Sequence, residues 1–335
     1  MKVVWVTVKT DLVGSGDGVD SKVASVRYRA LIPAAGLRAR GHHALVVGHD
    51  AASRDQVRGE IADADVVVFR RDYDAPEGIE QLLAETAAAG KKTIFDLSDD
   101  RLHGRVGPHL RRMVELAGSV VTMSDALRRK VADEFGKQAC FIGDPYEGPR
   151  GEPRFAPGAR LKALWFGHPV NLPSLEQSLP ALLQAARRKP VDLRIVTERV
   201  DGIERQCKDF NAKHRNLLSL RFAAWSNAET WRSLAESDVV VIPYIAGHPR
   251  SMAKSPNRII ESLWAGRLVI AHPIPSYMEF GDWAWIGDDL AAGFAWALDN
   301  PDAVVPRIAA AQSYIAASYS AECITTAWES ACGAQ

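Results

Sequence analysis

Short aliphatic runs closed by turn-forming clusters alternate with amphipathic stretches along almost the whole of this 335-residue chain. Runs such as 3–8, 64–69, 161–166 and 268–271 are mostly apolar on both faces, and 92–97 and 191–196 are shorter apolar stretches broken by polar residues. Such a pattern suits a parallel strand covered by helices above and below. The stretches between, among them 76–89, 126–134, 172–187 and 202–213, carry a helical period. The alternation reaches 139–142, stops at a proline- and glycine-dense stretch over 144–158, and restarts at 161. It therefore predicts an α/β protein of two doubly wound, Rossmann-like parallel-sheet lobes. The expected division is a first lobe over 1–146, a linker over 147–160 and a second lobe over 161–316. A terminal helix over 317–335 should pack back on the first lobe. The lobes should face each other across a cleft, with a ligand against the carboxyl ends of both sheets.

Lys+Arg and Asp+Glu each total 41, so no global basic field draws in nucleic acid. The four cysteines lie at no metal-like spacing and read as free thiols in a reducing compartment. No stretch approaches the roughly 20 apolar residues of a membrane span. The run 1–8 is too short for a leader and reads as a first buried strand. The expected setting is cytoplasmic, with peripheral contact at the inner face of the cytoplasmic membrane left open. Nothing in the sequence fixes an oligomeric state.

The segment richest in chemistry is K-S-P-N-R-I-I-E-S-L-W-A-G, residues 254–266. Ser255 suits an N-cap, Pro256 a first helical residue and Gly266 a C-terminal stop. On a helical wheel Ile259, Ile260, Leu263 and Trp264 share one arc; Asn257, Arg258, Glu261 and Ser262 share the other. The amino end of this helix, with Lys254 and Arg250 just ahead of it, is a natural anion site. Arg250, Lys254 and Arg258 would neutralise a bound phosphate; the plainer alternative is a solvated basic loop. Glu261 is, from spacing alone, equally an exposed carboxylate paired with Arg258. The long loop over 11–20 has glycines at 14, 16 and 18 but not the dinucleotide fingerprint, so no nicotinamide cofactor is expected.

Several of these motifs resemble those of a known family. The run 238–244, the segment 254–261 and 265–270 together resemble the donor-binding part of GT-B glycosyltransferases. The match is nearest the retaining group 1, or family 4-like, bacterial polysaccharide enzymes. Residues 121–127 and 142–145 are similar to its interlobe elements. Arg27 and Arg29, with Pro33, Leu37 and Gly41, resemble the first helix of a bacterial subset, and 95–100 resembles its acidic motif. The usual pair of glutamates seven apart is reduced here to Glu261, with Lys254 at the first position.

The resemblance implies a nucleoside diphosphate sugar as donor, its diphosphate on the helix end and its ribose hydroxyls on Glu261. Gly167, Ser255 and Asn257 would complete the donor side; Arg199, at the end of a strand, would bind the diphosphate or base edge, or equally form a surface ion pair. Asp99, Asp100 and His103 would orient or deprotonate an acceptor hydroxyl, unless they merely cap a helix and a turn. Gly16, Arg27 and Arg29 would line the acceptor side, or form a solvated helix face. The expected activity is transfer of a sugar to a bacterial glycan or lipid-linked acceptor, with retention, no metal and no resident cofactor. The alternatives are a nucleotide-sugar 2-epimerase of related fold and a non-catalytic sugar-nucleotide-binding scaffold.

Overall fold

The computed structural model describes residues 1–15, 18–245 and 249–333. The chain forms two compact units. One comprises Met1–Tyr146, Ala253–Ser255 and Ser318–Gln335; the other comprises Glu147–Met252 and Pro256–Ala317.

In the first unit β1 (Lys2–Val8) leads into a small antiparallel hairpin, β2 (Val13–Ser15) and β3 (Gly18–Asp20). Helix 24–39 follows, where α1 (Ala24–Val26) and α2 (Ile32–Ala39) flank a π-helical turn over Arg27–Leu31. Next come β4 (His43–His49), α3 (Arg54–Ala62), β5 (Val66–Phe69), α4 (Pro76–Ala88) and β6 (Lys92–Leu97). α5 (Gly107–Leu116), β7 (Ser119–Thr122), α6 (Asp125–Phe135) and β8 (Ala139–Phe141) complete it. The sheet is parallel, in the order β4-β1-β5-β6-β7-β8. Period-two alternation splits its core. Val4, Val6, Val67, Phe69 and Phe95 pack on one side, and Val3, Trp5, Val66, Val68 and Ile94 on the other. Each side is buried, as a doubly wound sheet requires.

The second unit holds β9 (Leu161–Phe166), α7 (Leu172–Ala186), β10 (Val191–Thr197), α8 (Ile203–His214), β11 (Leu218–Ala224) and α9 (Asn227–Glu236). It continues with β12 (Val239–Ile242), α10 (Pro249–Met252), α11 (Asn257–Trp264), β13 (Leu268–Ala271) and β14 (Trp285–Ile286), then α12 (Leu290–Asp299) and α13 (Pro301–Ser318). Its parallel sheet runs β11-β10-β9-β12-β13-β14. Successive crossovers go outward from β9 to β11, then jump back to β12 on its other side. The carboxyl ends of β9 and β12 therefore flank the point where the order reverses, the usual place for a ligand in such sheets.

The last helix, α14 (Ala321–Cys332), packs on α2 in the first unit, where Gly36 leaves room for Thr325. Trp328 is fully buried and meets Trp5 edge-on, ring centroids 5.8 Å apart. Among the described residues no helix is long and apolar enough to cross a membrane, and all four cysteines are free thiols.

Behind the first sheet's carboxyl edge lies a buried ionic network. Arg29 Nε donates to Asp96 Oδ1 at 2.6 Å, and its Nη1 donates to Asp144 Oδ1 and the Ile142 carbonyl, both at 2.8 Å. Arg70 Nε reaches Asp96 Oδ2 at 3.4 Å and its Nη2 donates to Ser25 Oγ at 2.9 Å. Burial opposes charge on Arg29, but Asp96 and Asp144 outweigh it and raise its pKa. Arg29 is wholly inaccessible, and its guanidinium also lies 5.7 Å from the Trp328 ring. The reading of Arg29 as an open acceptor-side residue is thus replaced by a structural tie. The π turn it sits in shifts the helical register, and Arg29 points into the sheet.

His49 ends β4 and is 2% exposed, and neither ring nitrogen has a hydrogen-bond partner. Burial pushes its pKa down, Arg54 adds to this, and Asp72 and Asp50 oppose it. The folded state therefore holds a neutral imidazole, while the unfolded chain takes a proton near 6.5. Stability present above that value is expected to be lost as pH falls from 6.5 toward the lower folded value. Denaturation midpoints between pH 7 and 5 should show this slope and His49→Gln should flatten it; an unchanged slope in the variant rules the account out.

The stretch 147–160 is fastened rather than loose. The Gly151 amide donates to the Trp264 carbonyl at 2.9 Å, and the Arg154 amide to the Gly266 carbonyl at 3.1 Å. Gln312, fully buried, donates to the Gly151 and Trp264 carbonyls at 2.7 and 2.9 Å. Gly266 is the pivot. Its φ of 78° closes α11, the Arg267 amide bonding the Ser262 carbonyl at 3.0 Å and its own amide the Leu263 carbonyl at 2.9 Å. A Cβ there would also collide with the Glu152 carbonyl. Arg267, 6% exposed, then binds the Leu234, Ala235 and Glu152 carbonyls at 2.8 to 3.0 Å. α11 is thereby held firmly by its carboxyl end.

Candidate functional site

The strongest cluster stands where the second sheet reverses its order. Arg258, in the first turn of α11, donates from Nη1 to the Phe166 carbonyl at the end of β9, 3.3 Å away. Its Nη2 donates to the Tyr244 hydroxyl, just beyond β12, at 2.6 Å. One side chain thus spans the carboxyl ends of both strands. Its guanidinium carbon lies 5.1 Å from the Tyr244 ring centre. Behind it the fully buried Tyr277 donates its hydroxyl to that of Tyr244 at 3.2 Å. Burial works against the charge of Arg258, but the two tyrosine oxygens outweigh it and its pKa is raised. Burial also drives the Tyr277 pKa well above its ordinary value, so that phenol stays neutral. Among the described residues no carboxylate lies within ion-pair distance of Arg258. The outcome is a fixed, half-buried cation that no acid among the described residues neutralises.

Gly167 adjoins it. Any side chain there would sit 3.4 Å from Arg258 Nη1 and cover it. His168, by contrast, is exposed, and its Nδ1 accepts from the Val170 amide at 3.2 Å. Arg199, beyond β10, forms an exposed pair with Glu204 at 2.8 Å.

The helix differs at its start from the sequence expectation. α11 begins at Asn257 with Pro256 as N-cap, and no side chain caps it. Ser255 is therefore not the cap: proline's fixed φ takes that position, one residue later than expected. With no capping side chain, the first turn offers backbone donors to an anion. Ile259, Ile260, Leu263 and Trp264 are buried, but so is Ser262, whose hydroxyl donates to the Arg258 carbonyl at 2.5 Å. The polar face is thus Asn257, Arg258 and Glu261, each half-buried. Lys254 and Ser255 cluster with the first unit. The Arg250 side chain lies outside the described residues, as does Gly16.

In the first unit, Asp99 follows β6 and pairs with Arg71 at 3.3 Å, its side chain 38% exposed. Asp100 is nearly covered, both oxygens accepting from Lys130 Nζ at 2.7 and 2.8 Å. His103 is exposed, 3.2 Å from Glu134. The structure brings Asp99 and Asp100 to one loop but gives each a different partner. Arg27 Nη1 donates to the Ser21 and Lys22 carbonyls at 3.0 and 3.1 Å, which fastens the loop after the hairpin.

Tyr244 and Tyr277 are the residues that sequence reasoning missed at the main cluster. The only signal was an aromatic two positions beyond the apolar run 239–242, after Pro243; Tyr277 carried none. Asp96 was visible as an acid inside a buried strand, a position that calls for a partner.

No protein-family model matches the chain, and no curated protein matches it by sequence. Solved structures do share its fold. It is similar to HepE (Alr3699) of Anabaena, solved with UDP-glucose: TM-score 0.66 over 99% of each chain at 15% identity. It is similar to a glycosyltransferase of Rickettsia africae ESF-5, with TM-score 0.69 over 99% of this chain and 97% of that one at 13% identity. It is also similar to TarM of S. aureus, with TM-score 0.62 over 80% of this chain at 12% identity, though it spans 55% of that longer chain. The chain thus has the α/β, two-lobed GT-B architecture.

Proposed function

We propose that the chain is a glycosyltransferase that moves a sugar from a nucleoside diphosphate sugar to a hydroxyl of a bacterial glycan or lipid-linked acceptor. The observation that carries this reading is the unneutralised Arg258 spanning the carboxyl ends of β9 and β12 at the head of α11. A dianionic diphosphate is the ligand such a cation and helix end suit best. In the reaction they stabilise charge growing on the departing nucleoside diphosphate. Glu261, one turn further on, accepts hydrogen bonds from the ribose hydroxyls. Lys254, Arg250 and Arg199 supply further positive charge, Asn257 and Ser255 polar contacts, and Gly167 close backbone approach. On the first lobe Asp99, the more accessible of the two adjacent acids, orients the acceptor hydroxyl. Transfer proceeds with retention and without a metal, as in the group the sequence resembles. HepE was solved with UDP-glucose and TarM with UDP, which supports a nucleoside diphosphate as the ligand class.

A thermal-shift screen of UDP, GDP, ADP, dTDP and CMP tests the reading. One diphosphate at a hundred times its Kd should add about 2.7 kcal/mol of stability. If none raises the melting temperature, the reading fails.

A further inference from the structure

Arg258 owes its availability to its neighbours, and this has a consequence for donor recognition that rests on the reading above. A guanidinium in a protein usually meets a carboxylate, which fixes it but cancels its charge. Here it is fixed by oxygens that carry no charge: the Tyr244 hydroxyl at 2.6 Å and the Phe166 carbonyl at 3.3 Å. Tyr277 steadies the Tyr244 hydroxyl from behind at 3.2 Å and is itself immovable, with no accessible surface. Tyr244 is 7% exposed, and its backbone is held by His272, whose Nδ1 lies 2.7 Å from the Tyr244 carbonyl. The two hydroxyls and the carbonyl hold the planar fork in one orientation and leave its full charge for an incoming anion. Guanidinium has five donors, and pre-setting its plane lowers the ordering cost when it meets phosphate oxygens.

We propose that Tyr244 and Tyr277 are positioning residues for the donor diphosphate: they hold Arg258 as an orientated, uncancelled cation and so set the preference for nucleoside diphosphates over nucleosides. Neither tyrosine needs to touch the donor. The hydroxyl of Tyr244 holds Nη2, and its removal leaves the ring wall in place.

The experiment is calorimetric titration of the intact chain with UDP, GDP, ADP and dTDP, each beside its parent nucleoside. In Tyr244→Phe the diphosphate that binds wild type should weaken about tenfold, the scale of a hydrogen bond to a charged group. Its nucleoside should bind unchanged. Tyr277→Phe should give a smaller loss of the same kind. Arg258→Lys keeps the charge but cannot take the two-point hold, so it should bind the diphosphate more weakly than Tyr244→Phe does. Equal loss for nucleoside and diphosphate means a general structural role and overturns the proposal, as does unchanged diphosphate affinity in Tyr244→Phe. If wild type binds no nucleotide, the glycosyltransferase reading falls together with it; wild-type binding with an indifferent Tyr244→Phe removes this proposal alone.

Discussion

Asp96→Ala is expected to destabilise the first unit by about 3–5 kcal/mol, the cost of leaving a buried charge without its partner. Asp96 stands on β6 and is shared by two guanidiniums, Arg29 at 2.6 Å and Arg70 at 3.4 Å, all at most 3% exposed. Removing it strands Arg70 and leaves Arg29 with Asp144 as its carboxylate partner. Asp144 still engages Arg29 at 2.8 Å but does not touch Arg70, whose pKa burial already lowers. Asp96→Asn keeps the shape and one acceptor and should cost less. The double change Arg70→Met with Asp96→Leu removes a charge pair together, leaves Arg29 on Asp144, and should recover part of the loss, because the penalty is desolvation and not volume. Urea denaturation followed by tryptophan fluorescence reads the effect, since Trp5 and Trp328 lie in this unit. A wild-type midpoint in Asp96→Ala would show the network to be inconsequential.

Glu261→Ala is expected to cut turnover of the donor about a hundredfold. Two hydrogen bonds from ribose hydroxyls to a carboxylate are together worth about 3 kcal/mol or more. Lys254→Ala should also lower turnover sharply, by withdrawing positive charge from the diphosphate. On the proposed reading cationic side chains and a helix end do the work a divalent ion does elsewhere, so EDTA should change little. Release of nucleoside diphosphate from the donor identified by the screen is the measurement. Full activity in both variants would remove this site from consideration, and loss of activity in EDTA would refute metal independence.

Much of the architecture was legible because it depends on burial, which leaves a pattern. All-apolar runs such as 239–242 and 268–271 can only be strands covered on both faces, and they are. Boundaries were less legible, since they turn on single backbone angles. Pro256 occupies the N-cap that serine chemistry assigned to Ser255, and the helix after β3 begins at Ala24 through a π turn that no residue pattern announces. In the site, Arg258 was visible as a cation on a polar helix face. What distinguishes it, a hold by tyrosines from elsewhere in the second unit, was not: Tyr277 is 19 positions away in sequence and meets it only after folding. The same limit explains Arg29. In sequence it belongs to a basic helix face, and only the three-dimensional meeting with Asp96 and Asp144 turns it inward.

The return of α14 to the first unit bears on how the chain comes into being. Arg29, Asp96 and Asp144 emerge from the ribosome together in the first part of synthesis, but Trp328 and the rest of α14 follow only after the whole second unit. That gap is on the order of tens of seconds. Until it closes, Trp5 and the helix carrying Gly36 lack the partner that covers them. Of the two units, the one holding β1 is therefore begun before the other and finished after it, and in the interval its unroofed apolar side is a natural target for a chaperone.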